Sequence, residues 1–318
     1  MHNEKTTIFI DGSSGTAGLR IYDRLAQRED IDLLTLPPEL HHDMEAQREL
    51  INRADIAFLC LPDAAAITAA DLVENPDTVV LDTSTAHRTA PGWTYGFPEL
   101  SPEREAAIRT AKRIAVPGCH ASGFVVLVYP LVEAGILPPD ALLTCYSLTG
   151  YSGGGKKMIA EYENADRPAH SKLDAPKSYG LGLAHKHLPE MQKISGLAHT
   201  PAFVPVVCDY YSGMQVLVPL DLKLAGTSAE AVAAGIADYY KEGATVSVHA
   251  LNEPLPENGL YSNALSGSDR MELYMTVNAA GDQMMLVSLF DNLGKGSSGA
   301  AIQCMNLMLG MDETEGLE

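Results

Sequence analysis

The sequence predicts an α/β chain in two parts, a dinucleotide-binding domain on a parallel sheet followed by an α+β domain with a mixed sheet. Three observations predict it. The chain opens as strand, glycine loop and helix. Apolar strands then alternate with helical stretches over the first third, the pattern of a parallel sheet covered on both faces. Beyond residue 119 the strands lengthen and most lose βαβ spacing, as in a mixed or antiparallel sheet. At 318 residues the chain suffices for one large domain or two of ordinary size.

The first strand covers residues 6–10. Gly12, Ser13, Ser14, Gly15, Thr16, Ala17 and Gly18 follow at once and lead into a helix through Leu19, Tyr22 and Leu25. Such glycines let the backbone turn tightly and approach a pyrophosphate whose charge meets the helix N-terminus, so this loop is the candidate cofactor site of a Rossmann-type domain. Its spacing is G-x-x-G-x-x-G, not the commoner G-x-G-x-x-G, and a tight turn without a ligand is the bland alternative. The second strand, residues 31–36, ends in Pro37 and Pro38 rather than in the acidic residue that would hold the 2′-hydroxyl of NAD. NADP(H) is thereby permitted. Glu39 stands at about the customary distance, but after two prolines, and no arginine follows to take a 2′-phosphate.

Strands at 56–61 and 78–82 come next, the latter running into Asp82, Thr83, Ser84 and then Arg88, at the carboxyl end of the sheet where α/β ligands bind. Arg88 is the first cation to assign to an anionic substrate, and a solvated surface arginine is the equal alternative.

Cys119 follows Pro117 and Gly118 and heads an apolar run, Phe124, Val125, Val128, Leu131 and Val132, at helical spacing, closed by Gly135. A helix N-terminus carries orphan N–H groups and about half a positive charge, which favours thiolate over thiol. Buried, inert cysteine is the usual alternative for any one thiol. The residues that accompany Cys119 argue for a nucleophile.

Strands are expected at 142–148, 204–208, 214–220, 245–249 and 284–290, with a Gly-, Ser- and Lys-rich functional loop or mobile linker between 150 and 182. His185 and His187, with Glu190 three residues on, offer an acid/base pair and a partner to orient it. A metal site is disfavoured because H-x-H-x-x-E lacks a third ligand nearby.

Composition excludes several classes of function. Forty-one acidic against 22 basic side chains give a formal net charge of −19, which repels nucleic acid and anionic membrane. An anionic small-molecule substrate must then be met by a few placed cations. The five cysteines are scattered, without metal-ligand spacing, and suggest a reducing, cytoplasmic setting. No signal-peptide-like stretch stands at residues 1–5, and no apolar run approaches membrane-spanning length.

Taken together, these motifs resemble the N-acetyl-γ-glutamyl-phosphate reductases, relatives of the aspartate-semialdehyde dehydrogenases, and in length the chain is similar to the shorter form of that family. The resemblance runs through the loop Gly12 to Gly18, Asp82 to Arg88, residues 95–100, Pro117-Gly118-Cys119, residues 153–156, residues 185–190 and residues 291–299. The family's cysteine motif usually reads Asn-Pro-Gly-Cys-Tyr; here Val116 and His120 replace the Asn and the Tyr. The resemblance implies an NADPH-dependent reduction of an acyl phosphate in arginine biosynthesis, through a thioester on Cys119, with His185 as base, His187 as its runner-up and Glu190 as orienter or substrate contact. Arg88, Ser147 and Lys186 are the candidates for substrate contacts. Ser84, Asn292 and Gly296 join the glycine loop as candidates for cofactor contacts. It further implies a dinucleotide-binding domain of residues 1–118 with 292–318, a catalytic and oligomerisation domain of residues 119–291, and a homodimer or homotetramer. A sister reductase of aspartyl phosphate or of a carrier-linked aminoadipyl phosphate, a cysteine hydrolase or acyltransferase without a redox step, and a non-catalytic NADP-binding module are the alternatives.

Overall fold

The computed structural model describes residues 5–41 and 43–318. They form two compact units, the described residues up to Gly118 with Ser297–Leu317, and Cys119–Gly296 with Glu318.

The first unit begins β1 (Thr6–Asp11), α1 (Thr16–Leu25), β2 (Ile31–Leu34), α2 (Met44–Arg53), β3 (Ile56–Leu59), α3 (Asp63–Asp71) and β4 (Val79–Asp82). It continues with β5 (Thr94–Tyr95), α4 (Pro102–Thr110) and β6 (Arg113–Ala115). The strands pair in the order β2-β1-β3-β4-β6-β5, all parallel. Alternation along each strand sends side chains to two cores, as expected for a sheet covered on both faces. Ile8, Ile10, Phe58 and Leu81 join one core, and Phe9, Ala57, Leu59 and Val80 the other. The strands expected at 31–36 and 56–61 stop two residues early, where parallel pairing ends and the chain turns toward the carboxyl edge. β5 and β6 were not anticipated, because two and three residues are too few to display a period.

The second unit contains α5 (Cys119–Glu133), β7 (Thr144–Gly150), α6 (Gly155–Tyr162), β8 (Lys177–Ser178), α7 (Leu188–Ser195), β9 (Ala202–Cys208) and β10 (Met214–Asp221). It ends with α8 (Leu222–Ala225), α9 (Ala229–Tyr239), β11 (Val246–Val248), β12 (Met271–Val277) and β13 (Gln283–Phe290). Its sheet has the order β11-β12-β13-β10-β7-β9-β8, with parallel pairs β11–β12 and β7–β9 and antiparallel pairs elsewhere. The central strand β10 alternates buried and half-buried residues along its length, the signature of one face packed on a core. Helix α5 lies against that face. A Cβ on Gly123 would come within 2.4 Å of Val216 Cγ2, so glycine alone lets the helix approach so closely.

The stretch 150–182 is not the unbroken loop the sequence suggests. Gly155, at φ +73°, turns the chain into the two-turn helix α6, whose Tyr162 is buried and stacks on Tyr151 with ring centroids 4.8 Å apart. Eight residues that open on glycine and two lysines are too few to display this period. Past Phe290, residues 292–296 cluster with the second unit, not with the first as the sequence reading divides them. The cause is Asn292, which donates from Nδ2 to Ser152 Oγ at 3.0 Å and accepts the Gly213 N–H at 2.9 Å. A π-helical turn, Gly294–Ser298, then opens α10 (Gly299–Met308), whose Ala301, Ile302 and Met305 enter the core of the first unit around Ile8 and Leu81.

Candidate active site

Cys119 occupies the first position of α5 and is half-buried. No acidic side chain stands in that helix's first turn to offset the positive end of its dipole. Gly296 lies beside it: a Cβ there would sit 3.0 Å from Cys119 Cβ and 3.1 Å from the Asp291 carbonyl oxygen. The glycine thus keeps open the space next to the sulfur, a local reason for its presence that spacing could not disclose.

Four rings gather around His120, the residue after Cys119. Centroids of His185, His187 and Phe203 lie 5.6, 5.4 and 5.2 Å from that of His120, and Tyr179 is at 6.4 Å. His185 and His187 stack at 4.9 Å. The His187 backbone N–H donates to His185 Nδ1 at 3.2 Å, and His187 Nδ1 is 3.2 Å from the same atom. With Nδ1 accepting, neutral His185 carries its proton on Nε2. Burial, then the charge of Lys186, pushes the His185 pKa down, so the ring is neutral at neutral pH and presents an N–H donor. Glu190 is buried in the first turn of α7. Lys186 is exposed.

Four residues expected to contact ligands are bonded to other residues of the protein. Ser147 is fully buried on β7 with its hydroxyl 2.7 Å from His120 Nδ1. Asn292 has both ends of its amide bonded inside the second unit. Arg88 is buried in the first unit. Its Nε donates to the Val116 carbonyl and its Nη2 to the Thr83 carbonyl, each at 2.9 Å, so a solvated surface arginine is excluded and the guanidinium ties the ends of two strands. Ser84, also buried, donates to Asp82 Oδ2 at 2.7 Å. The same oxygen accepts from His87 Nδ1 at 2.6 Å, and His87 stacks on Trp93 at 4.0 Å. The Asp82–His87–Trp93 set escaped sequence reading, as did Tyr179. Both depend on residues brought together by turns of no fixed period.

The glycine loop fits a dinucleotide. Gly12 has φ +81° and a Cβ there would lie 2.4 Å from the Cys60 carbonyl oxygen; a Cβ on Gly18 would lie 2.3 Å from that of Gly12. Side chains are therefore excluded where a phosphate backbone must approach. Helix α1 has Gly15 at its N-cap, no side-chain cap and no acidic residue in its first turn, leaving its amides for an anion. Thr16 Oγ1 and Asp11 Oδ2 are buried without hydrogen-bond partners among the described residues. Burial pushes the Asp11 pKa up to about 6, and the orphaned oxygen calls for a ribose or amide donor. Among the described residues no cluster of His, Cys, Asp and Glu is placed to hold a metal ion, and no helix is long and apolar enough to cross a membrane.

Comparison with known proteins agrees with this division. The semialdehyde dehydrogenase NAD binding domain matches residues 13–108, and the semialdehyde dehydrogenase dimerisation domain matches residues 119–292. The N-acetyl-gamma-glutamyl-phosphate reductase of Burkholderia cenocepacia (strain HI2424) is 43% identical over 306 residues, which is 96% of this chain and 97% of that one. Its counterpart from Trichormus variabilis is 42% identical over 320 residues, 98% of this chain and 99% of that one. The crystal structure of aspartate semialdehyde dehydrogenase II complexed with ASA from Vibrio cholerae is similar in fold, with a TM-score of 0.72 at 18% identity over 96% of this chain and 98% of that one. With a glycine loop shaped for a dinucleotide, a cysteine at a helix head amid histidines, and this likeness from end to end, the chain belongs to the N-acetyl-gamma-glutamyl-phosphate reductases, a family of the semialdehyde dehydrogenase fold.

Proposed function

We propose that the protein reduces N-acetyl-L-glutamyl 5-phosphate to N-acetyl-L-glutamate 5-semialdehyde and phosphate with NADPH, as a step of arginine biosynthesis. The observation that carries this reading is Cys119 at the head of α5 with His185 and His187 in the ring cluster beside it. The first unit serves the nucleotide, through Gly12 to Gly18 and the α1 N-terminus, and the second serves catalysis and self-association as a homodimer or homotetramer in the cytoplasm.

Cys119 Sγ attacks the acyl carbonyl, the C–O bond to phosphate breaks, and a thioester forms. Bound NADPH supplies the hydride that reduces it. His185 Nε2–H donates to the carbonyl oxygen and protonates it as the thiohemiacetal forms. On collapse His185 takes that proton back, the C–S bond breaks, and the semialdehyde leaves with Cys119 restored. The net proton consumed comes from solvent. The resting tautomer thus suits His185 to act as acid first, after helix α5 has favoured the thiolate. Glu190, in the first turn of α7, orients the histidine segment.

The test runs the reaction in reverse, with the semialdehyde, NADP and phosphate, following NADPH absorbance. Phosphate-dependent turnover that vanishes in Cys119→Ala, and that a chelator leaves unchanged, supports the reading. Turnover only with aspartate semialdehyde would replace the substrate, and failure to bind any nicotinamide nucleotide would remove the oxidoreductase altogether.

A further inference from the structure

His87 stands at the carboxyl edge of the first unit's sheet with one ring nitrogen committed and the other open. The committed side is fixed by Asp82, the last residue of β4, which is fully buried. Its Oδ1 accepts the Ser84 backbone N–H at 2.9 Å. Its Oδ2 accepts the Ser84 hydroxyl at 2.7 Å, and the hydroxyl oxygen accepts the Ala86 N–H at 3.2 Å in turn, so the serine proton points at the carboxylate. The 2.6 Å contact between His87 Nδ1 and Asp82 Oδ2 then needs a proton on Nδ1. The neutral ring is left with a bare Nε2, an acceptor for which no partner occurs among the described residues. Trp93 covers one face of the ring at 4.0 Å, and only 11% of the side chain is exposed. An acceptor so enclosed calls for a donor.

The place of the ring narrows the choice of donor. In the sheet order, β2 lies on one side of β1 and β3 on the other, which makes the gap between β1 and β3 the switch point where α/β sheets bind ligands. Asp11, Leu59 and Asp82 pair in one row across β1, β3 and β4. Adjacent strands lie about 4.8 Å apart, so the two carboxylates bracket about 10 Å of that edge. The orphaned Asp11 Oδ2 marks one end of it and His87 the other. A dinucleotide with its pyrophosphate on the α1 N-terminus points its adenosine half toward β2 and its nicotinamide half toward β3 and β4. An anion at His87 would meet the Asp82 carboxylate behind the ring and that of Asp63, which accepts the Thr85 N–H at 2.9 Å and the Thr85 hydroxyl at 2.5 Å. No group of ligands that could hold a metal ion occurs among the described residues. A neutral hydroxyl meets neither objection.

We propose that His87 Nε2 accepts a hydroxyl of the nicotinamide ribose, and that Asp82 is a positioning residue that keeps the ring in the tautomer this requires. The proposal rests on the glycine loop holding a dinucleotide. Ser84 serves the same end by filling the remaining acceptor sites of Asp82.

The test is titration calorimetry of the full-length protein with NADP and, separately, with adenosine 2′,5′-bisphosphate, which carries the adenosine half alone. The melting temperature of each variant is recorded. His87→Leu is expected to weaken NADP binding about fivefold, the size of one hydrogen bond, and to leave the bisphosphate unchanged. Asp82→Asn turns an amide N–H toward Nδ1 and drives the ring proton to Nε2, so it is expected to weaken NADP and spare the bisphosphate in the same way. The Asp82→Asn/His87→Leu double variant is expected to lose no more than His87→Leu alone. His87→Gln, whose amide oxygen can stand near the Nε2 position, is expected to bring NADP back to within about twofold of the parent. The two His87 variants decide the matter whatever Asp82→Asn does to folding. Unchanged NADP binding in His87→Leu, or an equal loss of both ligands, overturns the proposal. A parent that binds neither ligand would instead remove the dinucleotide site itself, and this contact with it.

Discussion

His120 shows how a single buried ring couples chemistry to stability. Its pKa is pushed from an ordinary 6.5 down to about 3, first by burial and then by His185 and Lys186. Between those values the unfolded chain binds a proton that the folded chain refuses, so the stability this residue contributes is intact above pH about 6.5 and is lost as the pH falls toward 3. The slope is about 1.4 kcal/mol per pH unit. Urea unfolding of the parent and of His120→Gln across that window checks this: the parent should lose stability more steeply on acidification, and parallel curves would remove the argument. The thiols differ by the same physics. Burial pushes Cys145 and Cys208 up, which makes them poor nucleophiles, whereas Cys119 is half-buried at a helix head.

Helix α5 contains a proline, Pro130, that should leave the Val126 carbonyl without its i+4 amide. The Tyr240 hydroxyl, from the end of α9, donates to that carbonyl at 2.8 Å in the interior. The two residues compensate one another across the packed helices. Tyr240→Phe should therefore destabilise by about 1–3 kcal/mol, the cost of a buried unsatisfied carbonyl. In a Pro130→Ala background, where an amide becomes available, the same substitution should cost much less. Equal losses in both backgrounds, read from chemical denaturation, would show that the hydroxyl is not standing in for the missing amide. Gly123 belongs to the same helix face. Gly123→Ala would place a methyl 2.4 Å from Val216 Cγ2 and 2.8 Å from Ser288 Oγ, which itself donates to the Gly123 carbonyl at 2.9 Å. Overpacking there should lower stability by about 1–3 kcal/mol, visible as a fall in melting temperature.

For the molecule as a whole, a net charge of −19 leaves anionic ligands to local devices such as the N-terminus of α1, which has no side-chain cap and no acidic residue in its first turn. Nucleotide binding to the folded chain alone must stabilise it by mass action, about 2.7 kcal/mol at a hundredfold excess over Kd. Scanning calorimetry should show a larger rise in melting temperature with NADP than with NAD at equal concentration. A larger rise with NAD would reverse the cofactor preference argued from the absence of an acidic residue after β2. Sedimentation velocity should give a dimer or tetramer, and a monomer at working concentration would count against self-association through the second unit.

The sequence by itself determined what depends on near neighbours. A period of two or 3.6 marks α5 and most of the long strands, β12 excepted, and Gly12, Gly15 and Gly18 are legible because a tight strand-to-helix turn needs them in sequence. Cys119 at a helix head and the His185–His187 pair are legible for the same reason. Only tertiary structure could decide what depends on residues far apart in the chain. His120 on α5 meets Ser147 on β7 and Tyr179 beyond β8, a set of partners no spacing discloses. Asn292 is claimed by Ser152 and Gly213, and Arg88 by the carbonyls of Thr83 and Val116. In each case a buried polar group must find a partner, and that partner is fixed by how strands and helices pack, which no local pattern records.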